Sequence, residues 1–442
     1  MKPAAAALAV LVNAGVAAGA ATPPGDPVLA ALVAEALERN PDLLAAQEGL
    51  SAARERIAQV SALPDPMLSV GYTNDGWAPS LGTQEMTTLG VMASQDLPYP
   101  GKRGLKGDIA SRETDQVEQQ VARVRLRIAA DVRRTYYGLL LARQLMGITR
   151  EQRDLWREIE GVVRARYAVG QGAQQDVLRI QVEITRVEQS AAEQTAEAEI
   201  RLAELNRLLA RPPDAPLDTS ASLSVQPLDL PLTETIEWAR QVSPELASAR
   251  LAVERGRLAT ALAQKDYKPD FSVQAAYMNR GGLDPMWQAG VGITLPVQRK
   301  RRAAAVAEAG ALTRTSERLA ESVDLQLRYR TQERFTRLKS TEKIVDLYAK
   351  GIIPQDRMSV EAAIANYQSG RVPFIAVLEA LQTLYGDRGT LVRLEADHAR
   401  LLASLGEASL EANADMPGAG GVAPGAFGSG GVGAMSGGMS GR

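Results

Sequence analysis

The chain of 442 residues contains no cysteine and only one histidine, His398. These absences exclude disulfides, thiol nucleophiles and zinc sites built from cysteine or several histidines. The sequence also offers no nucleophile motif and no phosphate-binding loop, so it predicts no enzyme, no metal site and no cofactor. Aromatic residues are only 4% of the chain, which argues against a large aromatic core. A formal net charge of -2 gives no case for nucleic-acid binding.

Long apolar runs are scarce as well. Beyond the N-terminus no segment holds eighteen consecutive apolar residues, so the sequence predicts no membrane-spanning helix. Residues 1–21 combine Lys2, a stretch of Ala, Leu and Val, and small residues at 18–21. This order is typical of a secretory signal peptide, and a disordered alanine-rich N-terminus is the alternative. The tail 412–442, rich in Gly, Ala and Ser, is predicted to be disordered because it cannot bury enough apolar surface.

What the chain does contain is long helical segments. No proline interrupts residues 101–211, and a straight helix of that length would span roughly 165 Å. Gly170 and Gly172 are the place where this run can reverse, because glycine tolerates the backbone angles of a tight turn. The pattern of residues 167–178 returns at 367–378. We therefore expect two helical hairpins, over 101–210 and 300–411, the second bent near residues 351–354.

The hairpins belong to two tandem repeats, 22–211 and 231–411, joined by a Pro/Asp-rich linker at 212–230. Asn40-Pro41, a predicted helix N-cap followed by a first-turn proline, matches Ser243-Pro244 at an offset of 203 positions. Each repeat also holds two segments in which apolar residues alternate with small or polar ones, the period of a β-strand. The four predicted strands cover about residues 66–77, 86–97, 270–279 and 286–297.

One apolar face and one small or polar face on every strand is the pattern of a transmembrane β-barrel. A small antiparallel sheet with one buried face is the alternative. Four strands cannot close a barrel, and an open edge in lipid would leave backbone groups unpaired at several kcal/mol each. A membrane-embedded version must therefore pool strands from several copies of the chain.

Basic residues follow both strand pairs, Lys102 and Arg103 after the first and Arg299, Lys300 and Arg301 after the second. Cations are unfavourable at a helix N-terminus, so another partner must account for them. Anionic headgroups of outer-membrane lipid would supply it. This interpretation places the helices in the periplasm, and a solvated charge cluster is the alternative.

Several motifs together closely resemble the TolC-type outer-membrane efflux proteins over about residues 27–411. They are Asn40-Pro41, Leu63-Pro64-Asp65-Pro66, the Tyr-x-x-Gly turns at 167–170 and 367–370, and Val377-Leu378-Glu379-Ala380-Leu381-Gln382. The joint Leu97-Pro98-Tyr99-Pro100-Gly101-Lys102 is similar to the heavy-metal cation efflux branch. The resemblance implies an α+β membrane protein whose homotrimer forms a twelve-stranded β-barrel continuous with a twelve-helix periplasmic α-barrel. It also implies a periplasmic adaptor and an inner-membrane pump as partners.

The resemblance further implies roles for the two turns, which would form the periplasmic tip. Gly170, Gly172 and Gly370 would belong to the turns that dock the adaptor. Tyr367 and Asp176 match the residues that hold the tip shut in the family.

Two other residues match the family only in part. Arg371 lies near, and not on, the family's basic position. Glu379 matches one of two acidic rings at the entrance, and Ala376 stands where the other would be. An ordinary exposed helix charge is the alternative for Glu379, and His398 is expected to be structural.

The function expected from these features is that of a passive exit duct, with metal cations or small toxic compounds as substrates. The alternative is a periplasmic coiled-coil scaffold without a pore. A scaffold would account for the long helices, but not for four alternating strands.

Overall fold

The computed structural model describes residues 26–81, 84–219, 221–225 and 227–410. The predicted signal peptide and the predicted disordered tail lie outside these ranges. Among the described residues, none of the helices combines the length and the apolar character that crossing a lipid bilayer requires.

The elements follow one another in two corresponding series, as the internal repeat predicts. The first series is α1 (Pro27–Arg39), α2 (Pro41–Ser61), β1 (Met67–Thr73), β2 (Thr88–Leu97), α3 (Lys102–Ala168) and α4 (Gln174–Leu208). The second is α5 (Leu232–Val242), α6 (Pro244–Lys265), β3 (Asp270–Arg280), β4 (Leu283–Thr294), α7 (Arg299–Leu347), α8 (Ile353–Gln368) and α9 (Phe374–Glu407).

Matching caps begin the second helix of each series. The Asn40 side chain accepts a hydrogen bond from the backbone N–H of Asp42 at 2.9 Å, and Ser243 Oγ accepts one from Leu246 at 3.4 Å. Pro41 and Pro244 follow directly, where the missing N–H of proline costs no helical hydrogen bond. The predicted caps are confirmed.

The elements differ from the sequence prediction mainly at their ends. The first strand stops at Thr73, not near 77, because the Asn74 amide donates to the carbonyls of Gly76 and Ala78 at 2.8 and 3.0 Å and folds the chain into a loop. The last strand lies about three residues earlier than predicted. The bend in the second long helix is a π-helical turn at Tyr348–Ile352, just before the proline in the first turn of α8.

The four strands form one antiparallel sheet in the order β1-β2-β3-β4. Its register places Val70, Val91, Tyr277 and Trp287 in one row across the sheet. This face is apolar and exposed: Val70 is 71% and Trp287 80% accessible in the protomer. The opposite face holds small, polar and methionine side chains. The edges β1 and β4 have no further strand beside them within the described part of the chain.

The helices pack around two apolar clusters. The first surrounds Tyr136 and Leu139 on α3, near α1, α2 and the end of α4. The second surrounds Trp156, Ile180 and Phe374 and lies toward the two helical turns. The buried contacts of this second cluster hold the long helices together near the turns. They therefore fix the position of the candidate site.

Candidate gate between the two helical turns

The two helical turns have the same backbone construction. In the first, the N–H of Gly170 donates to Tyr167 O at 3.0 Å and that of Gln171 to Arg166 O at 2.9 Å. In the second, Gly370 donates to Tyr367 O at 3.0 Å, and the next residue donates to the carbonyl five positions earlier at 2.9 Å. Gly170 and Gly370 both have φ +74°, a left-handed conformation that favours glycine.

The turns differ at the position two residues later. The first turn has Gly172 there, and a Cβ built on it would lie only 3.1 Å from the backbone nitrogen of Tyr167. The second turn has Val372 and then Pro373 at the corresponding place. The two turns are therefore equal in their backbone closure and unlike in their side chains, as the sequence predicts.

The turns lie side by side and line an open groove with a volume of about 410 Å³. Arg166 and Asp176 line it from the first repeat, and Tyr367, Val372 and Phe374 from the second. The structure therefore brings Asp176 and Tyr367, two predicted gate residues, to one site.

Tyr367 is one of the buried residues of this site. Its side chain is 5% exposed, and its ring lies 5.6 Å from the ring of Phe374, centroid to centroid. Burial, and then the nearby Asp176 carboxylate, raise the pKa of Tyr367 above its usual value. Its hydroxyl has no hydrogen-bond partner among the described residues. Within the protomer, Tyr367 therefore makes no hydrogen bond to Asp176.

Arg166, which was not predicted, makes the contacts that join the turns. Its Nη1 donates to the carbonyl of Tyr367 and, at 3.2 Å, to that of Gln368. Its Nη2 donates to Gln171 O at 3.3 Å, and its guanidinium carbon lies 4.7 Å from the centroid of the Tyr367 ring. A basic residue in the last turn of a helix is ordinary, so no signal in the sequence marked this one.

Arg371 and Glu379 are both exposed, the first on the second turn and the second on α9. Neither forms an ion pair with another described residue in the protomer. His398 is fully buried, with Nε2 3.5 Å from Glu342 Oε1, and burial lowers its pKa. These surroundings suit the structural role expected for it.

Lys102 requires a correction to its predicted contact with lipid. It is buried, at 6% exposure, and its Nζ lies 3.0 Å from Asp270 Oδ2 and 3.2 Å from Asp266 Oδ1. Both carboxylates come from the other repeat, close to the start of β3. They supply the counter-charge for which the sequence analysis invoked lipid, so Lys102 holds the two repeats together where the strands meet the helices.

The other four cations, Arg103, Arg299, Lys300 and Arg301, are exposed at the starts of α3 and α7. Arg103 Nε donates to Ser61 O at 2.9 Å. These residues keep their charge at the surface, next to the strands.

Known proteins resemble this chain in sequence and in fold. Residues 32–211 match the family model described as outer membrane efflux protein. The resemblance to the outer membrane efflux proteins is confirmed. The chain is 22% identical over 368 residues to the cobalt-zinc-cadmium resistance protein CzcC of Cupriavidus metallidurans. The aligned residues make up 82% of this chain and 85% of that protein.

Solved structures share the fold over nearly the whole length. The structure of CusC matches with a TM-score of 0.73 and 19% identity, over 87% of this chain and 92% of that one. VceC, an outer membrane protein of Vibrio cholerae, matches with a TM-score of 0.71 and 18% identity, over 86% of this chain and 95% of that one. The arrangement of helices and strands is therefore that of these two solved structures.

Proposed function

We propose that this protein is the outer-membrane exit duct of a tripartite efflux system and conducts substrates passively from the periplasm to the exterior. The observation that supports this most is the sheet. One face is apolar and exposed, both edges are open, and each strand pair continues into a helical hairpin. The first of these helices has 67 residues and is about 100 Å long, enough to extend far from a membrane.

The open sheet edges favour assembly of several copies. In lipid, unpaired strand edges are too costly to persist, so β1 of one copy would pair with β4 of the next. Three copies would supply twelve strands and close a barrel of the size that the family resemblance implies. The apolar row with Val70 and Trp287 would then face lipid, and the face with small and polar residues would line the pore.

The orientation follows from the charges beside the strands. Arg103, Arg299, Lys300 and Arg301 would meet anionic headgroups at the inner face of the outer membrane. The long helices would then extend into the periplasm, with the two turns at the far end. A signal peptide at residues 1–21 would deliver the chain there.

The turns would be both the gate and the docking site. Gly170, Gly172 and Gly370 shape the surface that a periplasmic adaptor would contact, and an inner-membrane pump would energise transport. Asp176 and Tyr367 line one groove, and they would belong to the gate together with Arg371 and Glu379. The three copies of Glu379 would form a ring of identical acids, which favours cations at a constriction.

The substrate class that we propose is heavy-metal cations, with small toxic compounds as the alternative. The name of the relative CzcC and the Leu97–Lys102 joint support it. Deletion of the gene should increase sensitivity to copper, silver, zinc or cobalt salts more than to organic antibiotics. The reverse profile would assign the duct to organic compounds.

Cell fractionation tests the location. The duct requires recovery of the full chain in the outer-membrane fraction, resistant to extraction by salt and alkali. Recovery in the soluble periplasmic fraction would instead support the coiled-coil scaffold.

A further inference from the structure

We propose that Arg166 is a clamp that holds the second helical turn against the first, and that the periplasmic tip opens when this contact is released. The proposal rests on the exit-duct function, because a clamp gates only if the turns close a pore. The residue acts on the gate by positioning Tyr367 and the second turn.

The contacts of Arg166 reach across the two repeats. The guanidinium belongs to the last turn of α3, yet two of its acceptors, the carbonyls of Tyr367 and Gln368, end α8 in the second repeat. Its third acceptor, Gln171 O, lies in the first turn. One side chain is therefore bonded to both turns at once, and it also covers the Tyr367 ring.

The charge of Arg166 suits this position. Both α3 and α8 end at the groove, and the last carbonyls of a helix carry partial negative charge and lack helical partners. Two such ends side by side repel each other unless a cation lies between them. Arg166 supplies that cation, and a neutral side chain would leave the repulsion in place.

The internal repeat shows that this contact is one-sided. Asn366 occupies the position in the second repeat that Arg166 occupies in the first, each immediately before the tyrosine of its turn. The clamp therefore acts from the first turn on the second. The second turn is the part that would move when the clamp is released.

The clamped contact is also incompletely satisfied. Arg166 Nε and the Tyr367 hydroxyl are buried without a hydrogen-bond partner among the described residues. A buried polar group left unpaired is unfavourable compared with the same group in water. Opening would hydrate both groups, and this offsets part of the loss of the three hydrogen bonds. Such a contact can close the tip and still be released by a docking partner.

A cysteine placed in the groove tests the clamp without any measurement of transport. The chain has no cysteine of its own, so a Val372→Cys variant of the full chain carries one thiol, at a half-buried position that lines the groove. The rate at which a small maleimide labels this thiol is measured on purified protein in detergent. Two proteins are compared, Val372→Cys alone and Val372→Cys combined with Arg166→Gln. We expect a rise of about tenfold or more, because at least one hydrogen bond to a charged group is lost.

The matched control is Arg164→Gln, two residues earlier on the same helix. Arg164 is 59% exposed and pairs at 2.7 Å with Glu160 on its own helix, so its loss should leave the labelling rate unchanged. Arg166→Lys keeps the charge but not the planar fork, and it should give an intermediate rate. Equal rates for wild type and Arg166→Gln would overturn the clamp, whatever the function of the protein.

Single-channel recording in planar bilayers then separates the clamp from the duct. Faster labelling together with a higher open conductance of Arg166→Gln supports both. If labelling is faster but no variant forms a channel, Arg166 still holds the two turns together. That result overturns the exit duct, and with it the gating role of Arg166. Channels whose conductance Arg166→Gln leaves unchanged retain the duct and overturn the clamp.

Discussion

Lys102 offers the sharpest test of how the strands are joined to the helices. The substitution is Lys102→Met, which keeps the length and the apolar stem of the side chain and removes its charge. In the structure Lys102 Nζ donates to both carboxylate oxygens of Asp270 at 3.0 Å and lies 3.2 Å from Asp266. The variant therefore leaves two neighbouring carboxylates without their shared cation.

The magnitude follows from the burial of the three side chains. Removing one partner of a fully buried ion pair costs about 3–5 kcal/mol. Here the lysine side chain is 7% exposed, while those of Asp266 and Asp270 are 55% and 43% exposed and keep part of their water. We therefore expect a loss of about half that range, roughly 2 kcal/mol.

The assay is thermal unfolding of the purified protein in detergent, followed by circular dichroism. Lys102→Met should lower the melting temperature by several degrees, and more at low than at high salt. The control is Arg103→Met, the adjacent exposed cation, which should change the melting temperature little and instead weaken binding to anionic liposomes. Equal melting temperatures for Lys102→Met and wild type would refute the assignment of Lys102 as an internal tie.

Three further predictions concern the sheet, the helices and the gate. Val291→Arg on the apolar face of β4 should prevent insertion and assembly, at about 2–4 kcal/mol if the residue lies near the bilayer midplane. Asp356→Asn should stabilise the protein at pH 7, because burial and the neighbouring Asp387 carboxylate raise the pKa of Asp356. Tyr367→Phe keeps the ring beneath the guanidinium and should leave channel conductance unchanged, whereas Tyr367→Ala should raise it.

The predictions for the sheet and the gate each have a further check. For the sheet, Gln288→Arg on the opposite face of the same strand should be tolerated, as judged by oligomer bands in outer-membrane fractions; failure of both variants alike would contradict the assignment of faces. For the gate, a higher conductance of Tyr367→Phe would instead show that the Tyr367 hydroxyl helps to keep the tip shut.

The pH dependence of the Asp356 variant has a defined sign. A carboxyl whose pKa is raised by folding destabilises the folded state when it is charged, so the penalty exists above the folded pKa. This penalty disappears as the pH falls toward 3.8, the ordinary pKa of an aspartate side chain. The stability gained by Asp356→Asn should therefore shrink between neutral pH and about pH 4 in thermal melts. A gain that is independent of pH would exclude the charge of Asp356 as its cause.

Much of this fold is readable in the sequence because its signals are local. The Asn40-Pro41 cap, the alternation in each strand and the Gly170 turn depend on residues within a few positions of one another. The internal repeat adds a second, independent reading of each element. These features predict the element order, the two faces of the strands and the two turns.

The sequence could not reveal which distant residues meet. Lys102 belongs to a cluster of basic residues typical of a membrane interface, and its real partners, Asp266 and Asp270, lie more than 160 residues away. Arg166 likewise looks like an ordinary helix-end cation, and its acceptors are backbone carbonyls, which no side-chain pattern identifies. Both depend on how the two repeats pack, and periodicity within one repeat does not contain that information.

The central claim is that copies of this chain form a pore, and planar bilayer recording of the purified full-length protein tests it most directly. The account predicts discrete, long-lived steps of small conductance for the wild type, because the tip is clamped, and larger steps for Arg166→Gln. Bilayers that stay silent with both proteins, although each is folded and oligomeric in detergent, would contradict it.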